Sequence, residues 1–242
     1  MIKKNTTFGE MMTYKIRKSH ERKFFDHGWL KTFHTFSFAH YYDPNFMGFR
    51  SLRVINEDRV APGNGFPMHH HENMEIISIV LEGSLAHRDS MGTESVIHAN
   101  DIQQMSAGTG VNHSEYNPSS TEPVHFLQIW ILPNQENIQP RYQQMPLPTS
   151  LNEWILIASE NGQQNSIKIQ QDVMLYTASL EIGKSFEKNI PDHRYGWIQV
   201  IEGELSLNAD TIQSGDGVAI NPDTNLILKA IKPSRILFFD MN

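Results

Sequence analysis

The stretch MEIISIVLEGSL, residues 74–85, is an apolar run that closes on Glu-Gly and leads into a second alternating segment. Residues 196–207, GWIQVIEGELSL, repeat that layout about 120 positions later. After each copy an aspartate in a turn, Asp101 and Asp216, opens a further strand-like segment. Similar short runs fill the chain, at residues 51–55, 95–98, 125–132, 154–158, 175–180, 217–220, 226–230 and 236–239. Gly, Asn, Asp and Pro separate them, and helical periodicity is scarce. Many short strands with such punctuation make a sandwich or barrel. The chain therefore reads as all-β, with two similar β domains in tandem.

The proline-bearing stretch PNQENIQPRYQQMPLP, residues 133–148, is the natural connection, because proline removes ladder donors. The organisation expected is an extension over residues 1–13, a first domain over 14–135, a linker over 136–150 and a second domain over 151–242. Met1, Met11 and Met12 are each candidate start positions.

With 242 residues, 39% hydrophobic and 10% aromatic, the chain has ample material for two cores. A net charge of −7 opposes direct nucleic-acid binding, which needs a basic face. Residues 1–35 run against that balance with eight Lys and Arg, Arg17 and Arg22 among them, and read as a solvated basic terminus. Absence of cysteine excludes disulfides, thiolate metal sites and thiol switches, so redox behaviour needs a bound metal or cofactor. No secretory h-region follows Met1 and no run of about 18 apolar residues occurs, so a cytoplasmic protein without a membrane span is expected.

Immediately before the first repeat stands GFPMHHH, residues 65–71. Twelve histidines give roughly 0.6 His-x-His triplets by chance, so context must decide. On a strand His69 and His71 share one face and His70 takes the other, as an exposed polar residue. If the strand stays regular, Asn73 and Glu75 follow on the face of His69. A second cluster, SAGTGVNHSEYNPSS at residues 106–120, puts His113 and Glu115 two apart on a strand entered through a glycine turn. Two antiparallel strands can turn His69, His71, His113 and Glu115 toward one centre. Imidazole and carboxylate donors suit a divalent transition ion and leave coordination positions open for chemistry. Glu75 stays a candidate for the carboxylate at this point.

The two clusters, Gly65-x3-His69-x-His71-x3-Glu75-x7-Gly83 and Gly110-x2-His113-x3-Asn117, resemble the paired motifs of the cupin superfamily. The segments DHGWLKTFHTFSFAHYYDPNFMGF, LRVINEDRV, LEGSLAHRDSMG and MSAGTGVNHSEYNPSS further resemble the pirin family, over most of residues 14–132. The resemblance implies two cupin jelly-roll barrels and a metal held by His69, His71, His113 and Glu115, with Glu75 orienting a ligand imidazole. Glu75 paired with an arginine such as Arg53 is its alternative. Fe(II) is the ion expected, with Ni, Mn, Co, Cu and Zn compatible with the same donors.

The resemblance also implies a dioxygenase that opens the central ring of a flavonol such as quercetin with O2, Glu115 serving additionally as catalytic base. Its alternative is a metal- or redox-sensing regulator that binds a protein partner. At the repeat offset Asn189, Pro191 and Tyr195 replace His69, His71 and Glu75, and His193 stands alone, so the second domain is expected to be metal-free. Its expected role is to close sheet edges of the first. Phe33, Phe36 and Phe38, with His34 and His40, are expected to pack across a sheet or at the domain junction, and the segment 46–49 to wall a pocket.

Overall fold

In the computed structural model residues 13–242 are described. The questions of a start at Met1, Met11 or Met12 and of an extension before Thr13 lie outside the described residues. The first half holds a four-stranded sheet in the order β5 (Gly65–His71), β10 (Val111–Tyr116), β7 (Ser84–Asp89), β8 (Glu94–His98). Facing it is a seven-stranded sheet in the order β12 (Arg141–Pro146), β9 (Asp101–Ser106), β6 (Glu75–Glu82), β11 (Val124–Ile131), β4 (Leu52–Val60), β3 (Leu30–His34), β2 (Lys23–Asp26). The second half repeats the plan. Its small sheet runs β16 (Ser185–Ile190), β21 (Thr224–Ala230), β18 (Glu204–Leu207), β19 (Asp210–Gln213). Its large sheet runs β1 (Tyr14–Arg17), β20 (Gly217–Ile220), β17 (Tyr195–Glu202), β22 (Ser234–Met241), β15 (Val173–Leu180), β13 (Ile155–Ser159), β14 (Ile167–Lys168). Two such sandwiches in tandem are the paired β domains that the repeat announced.

The repeat has a local cause in both copies. Gly83 and Gly203 take positive φ, +76° and +93°, between β6 and β7 and between β17 and β18. A Cβ on either would strike backbone across the turn, at the carbonyls of Pro123 and Pro233 respectively, so only glycine fits. Asp101 accepts the amide of His98 at 3.0 Å and Asp216 that of Gln213 at 3.1 Å, the same three-residue reach in each barrel.

Alternation on the large sheets sorts side chains into two cores. On β6 and β11, Ile77, Ile79, Leu127 and Ile129 face outward and meet Leu175, Trp197, Leu237 and Phe239 of the other half in one buried cluster. The halves thus join face to face. Closure of sheet edges, the role expected for the second barrel, is replaced by burial of two apolar sheet faces, because both faces of these strands are apolar.

Two strand pairings cross the expected boundaries. The stretch expected as linker, 136–150, contributes β12, which pairs with β9 at the sheet edge, with Pro146 opposite Asp101 at its end. An edge strand tolerates a proline there. Residues 14–17, expected in the first domain, instead pair with β20 of the second barrel. The basic terminus is correspondingly not all solvated, since Arg17 and Arg22 are buried. Arg22 meets Glu57 at 2.9 Å, and Arg17 lies over the Phe46 ring. Among the described residues no helix is long and apolar enough to cross a membrane.

Candidate metal centre

β5 and β10 are adjacent antiparallel strands, with His69 opposite His113 and His70 opposite Asn112. The register sends His69, His71 and His113 to the barrel interior, where a ligand atom of each lies within 4.8 Å of the others. His70 takes the outer face and sits 3.3 Å from Asn112 Oδ1. A bulge between His113 and Glu115 shifts the pairing with β5, while pairing with β7 stays regular and places His87 opposite Glu115. Glu115 is 2% exposed. It groups with His113 and His87 rather than directly with His69 and His71. The centre is therefore two overlapping triads that share His113.

Several contacts fix the states of these groups. The Pro67 carbonyl, 2.8 Å from His69 Nδ1, can only accept, so Nδ1 donates to it and Nε2 is the nitrogen turned toward the other imidazoles. That Nε2 lies 3.0 Å from His113 Nε2. Two nitrogens bound at right angles to one ion at about 2.1 Å would stand about 3.0 Å apart. Burial, then the neighbouring imidazoles, pushes the pKa of His71 and of His113 down to about 3. Both rings are thus neutral near pH 7, the form that ligates. Glu115 accepts from the Ser78 hydroxyl at 3.2 Å and from Gln128 Nε2 at 2.9 Å, which hold its carboxylate in place. The donor set therefore fits a divalent transition ion on this structure's own chemistry.

Glu75 departs from expectation. Asn73 has a φ of +46° and ends β5 in a turn, so β6 restarts with Glu75 on the face of Ile77, away from the histidines. Its carboxylate accepts from Gln104 at 2.6 Å and Ser106 at 2.9 Å, and Arg141 reaches the same Ser106. Glu75 orients no imidazole. Arg53 is not its partner either, being bound to the carbonyls of Ser37 and Met47.

His87 is the group that reading the sequence missed. Its Nε2 donates to Asp89 at 3.0 Å inside the barrel. Burial works to raise the Asp89 pKa, but hydrogen bonds from His87, Thr93 and Met91 outweigh it and hold the group below its usual value. The signal was present, since Leu85, His87 and Asp89 alternate onto one buried face of β7. Aromatic rings continue from His71, whose ring meets Trp130 edge-on at 5.0 Å, with Phe38 against Trp130 and His34 against Phe38. Phe36 packs instead on Trp197 at the junction, while Phe33 packs at a tilt against Phe24 at the sheet edge. Both clusters of ligand-type side chains among the described residues belong to the first barrel.

Twin barrels with a metal-binding His/Glu cluster in the first define a metal-binding bicupin. Residues 15–131 match the Pirin family, and residues 156–241 match the quercetinase C-terminal cupin domain. The chain belongs to the pirin family. It is 45% identical over 226 residues to the quercetin 2,3-dioxygenase of Escherichia coli strain K12, covering 93% of this chain and 97% of that protein. It is 34% identical over 218 residues to a pirin-like protein of Caulobacter vibrioides, covering 89% of this chain and 94% of that one. The crystal structure of the bacterial pirin YhhW from Escherichia coli in complex with nickel(II) matches with a TM-score of 0.91 at 44% identity, covering 94% of this chain and 98% of that one.

Proposed function

We propose that the protein is a metal-dependent dioxygenase that opens the central ring of a flavonol such as quercetin, acting in the cytoplasm. The observation that carries this reading is the convergence of three imidazoles, two of them held neutral by burial, beside a buried carboxylate. Likeness to the Escherichia coli quercetin 2,3-dioxygenase supplies the substrate class.

His69, His71, His113 and Glu115 would hold the ion, with Fe(II) the first choice and Ni, Mn, Co, Cu and Zn compatible with the same donors. When bound, a redox-active ion supplies Lewis acidity toward the 3-hydroxyl and 4-keto oxygens of the flavonol and access to O2 chemistry. The chain's own part is positional and protolytic. Glu115 accepts the 3-hydroxyl proton, while Ser78 and Gln128 keep its oxygens aimed. Trp130 and Phe38 form an apolar wall beside His71 and exclude water from that side. Both atoms of O2 enter the product, and the excised ring carbon leaves as carbon monoxide.

The test is elemental analysis of untagged protein, followed by an O2-electrode assay with quercetin. Loss of quercetin absorbance with stoichiometric O2 uptake and carbon monoxide release is expected. Metal-loaded protein that leaves both absorbance and O2 unchanged, under conditions in which a working quercetinase consumes both, would refute the assignment.

A further inference from the structure

At the seam between the barrels lies a cavity of about 270 Å³, remote in sequence from the histidine strands. The segment 46–49, expected to wall a pocket, supplies Phe46 and Phe49 here. Phe36 and Trp197 complete the aromatic lining, and β1 adds Lys15 and Arg17. Trp197 holds the other rings together, with Phe36 at 4.9 Å and Phe49 at 5.7 Å between ring centres.

The charged groups that line this cavity are all cationic. Arg17 is 2% exposed, and its Nη2 donates to the Glu21 carbonyl and the Tyr41 hydroxyl. Its Nε and Nη1 meet no acceptor among the described residues, and neither does the indole N–H of Trp197, a side chain 3% exposed. Three buried donors from two lining side chains thus lack acceptors, and Lys15 adds a second positive charge. No aspartate or glutamate lines the cavity. Each buried unsatisfied donor is costly, more so on a charged group, so the arrangement favours an acceptor that carries negative charge.

We propose that this seam is a binding site for a single-ring aromatic carboxylate. The ring packs among Phe36, Phe49 and Trp197, and the carboxylate accepts one charge-assisted hydrogen bond from Arg17, whose Nε and Nη1 are free while Nη2 is already paired. Lys15, at the exposed rim, screens the second carboxylate oxygen. The half-buried Phe46 ring lies 3.4 Å over the face of the Arg17 guanidinium, whose free N–H groups are closed to solvent, so binding requires the lining to shift aside. A volume just below that of drug-sized pockets limits the ligand to one ring. The site is independent of the metal centre and of the reaction assigned to it.

The test uses full-length protein stripped of metal by chelation, so that carboxylates have no ion to bind. Benzoate and benzyl alcohol, alike in their ring and unlike in charge, are titrated by calorimetry and followed through the indole N–H signals in NMR. Trp197→Phe assigns its own signal by deletion. Benzoate is expected to bind one-to-one, to shift the Trp197 indole signal, and to bind at least about tenfold tighter than benzyl alcohol. Arg17→Gln should cost about tenfold or more in benzoate affinity and leave benzyl alcohol unchanged, and the exposed Lys15→Gln should cost several-fold. Absence of binding at millimolar benzoate overturns the site. Equal affinity for the two probes, or saturation that leaves the Trp197 signal unmoved, overturns it as well. Should Arg17→Gln fail to fold, Lys15→Gln and the Trp197 signal decide between these outcomes.

Discussion

His87 donates its Nε2 proton to Asp89 across 3.0 Å, and neither side chain reaches solvent. The bond fixes the ring so that its Nδ1, which meets no acceptor or donor, lies on the side away from Asp89. A ligand atom of this ring stands within 4.8 Å of one on His113 and one on Glu115. The pair is thus a built-in brace beside the metal centre rather than a surface ion pair.

Asp89→Asn tests the brace. The amide keeps the oxygen that accepts the Met91 and Thr93 amides, so the β7–β8 turn should survive. Loss of the charge that anchors His87 should weaken metal binding by about 10- to 100-fold, as for other outer partners of metal sites. Competition against a chelator of known affinity measures it, and an unchanged affinity would place His87 outside the centre's energetics.

Glu115→Gln separates holding from proton transfer. The amide oxygen can still accept from Gln128 and the amide nitrogen can donate to the Ser78 hydroxyl, so the strand geometry persists. Turnover of quercetin should fall by about 10²- to 10⁴-fold, the range supplied by a positioned base. His113→Ala, which removes the residue common to both triads, should instead abolish bound metal on elemental analysis. Equal metal loss in the two variants would deny Glu115 its separate role.

Acid should destabilise the metal-free protein through the centre itself. His71 and His113 have native pKa values near 3, below the 6.5 of a free imidazole, so the unfolded chain binds their protons first. Their contribution is fully present above pH 6.5 and is lost as pH falls toward 3. Asp58 works in the opposite sense. Burial first, then the charges of Glu115 and Glu57, raises it to about 7. Its contribution is present below the ordinary carboxylate pKa of 3.8 and disappears as pH rises through about 7. Melting temperature against pH for chelated wild type and for His71→Gln checks the signs. The variant should lose less stability between pH 6.5 and 3 than wild type does.

Ile129→Ala reports on the junction. The side chain is fully buried in the cluster shared by both halves, so its truncation should cost about 2–5 kcal/mol. Because that cluster belongs to both barrels, calorimetry should show one transition that moves as a whole. Two separate peaks, with only the first displaced, would show that the barrels unfold independently.

Period-two reasoning carried the sequence a long way. The Glu-Gly turns located both barrels, since only glycine satisfies Gly83 and Gly203, and that constraint is local. The shared faces of His69 with His71 and of His113 with Glu115 were legible because residues two apart on a strand point the same way, while the preference for Glu115 over Glu75 came from the family resemblance. Glu75 went wrong at one residue, Asn73, whose left-handed backbone resets the count between β5 and β6. The pairing of β1 with β20 had no local signature at all, because its partners are about 200 positions apart and meet only in the finished fold. His87 obeyed the same alternation as its neighbours, but without the cross-strand register there was no ground for bringing it to Glu115.

The pairing of Tyr14–Arg17 with Gly217–Ile220 also governs how the protein can be made. On the ribosome the opening strand emerges first and waits for nearly the whole chain before its partner appears. Until then the first barrel presents Ile77, Ile79 and Ile129 to the surrounding medium with nothing to cover them. Nascent chains stalled short of β22, whose Leu237 and Phe239 complete the cover, should therefore be captured by chaperones and aggregate on release, and translation past Met241 should end the exposure.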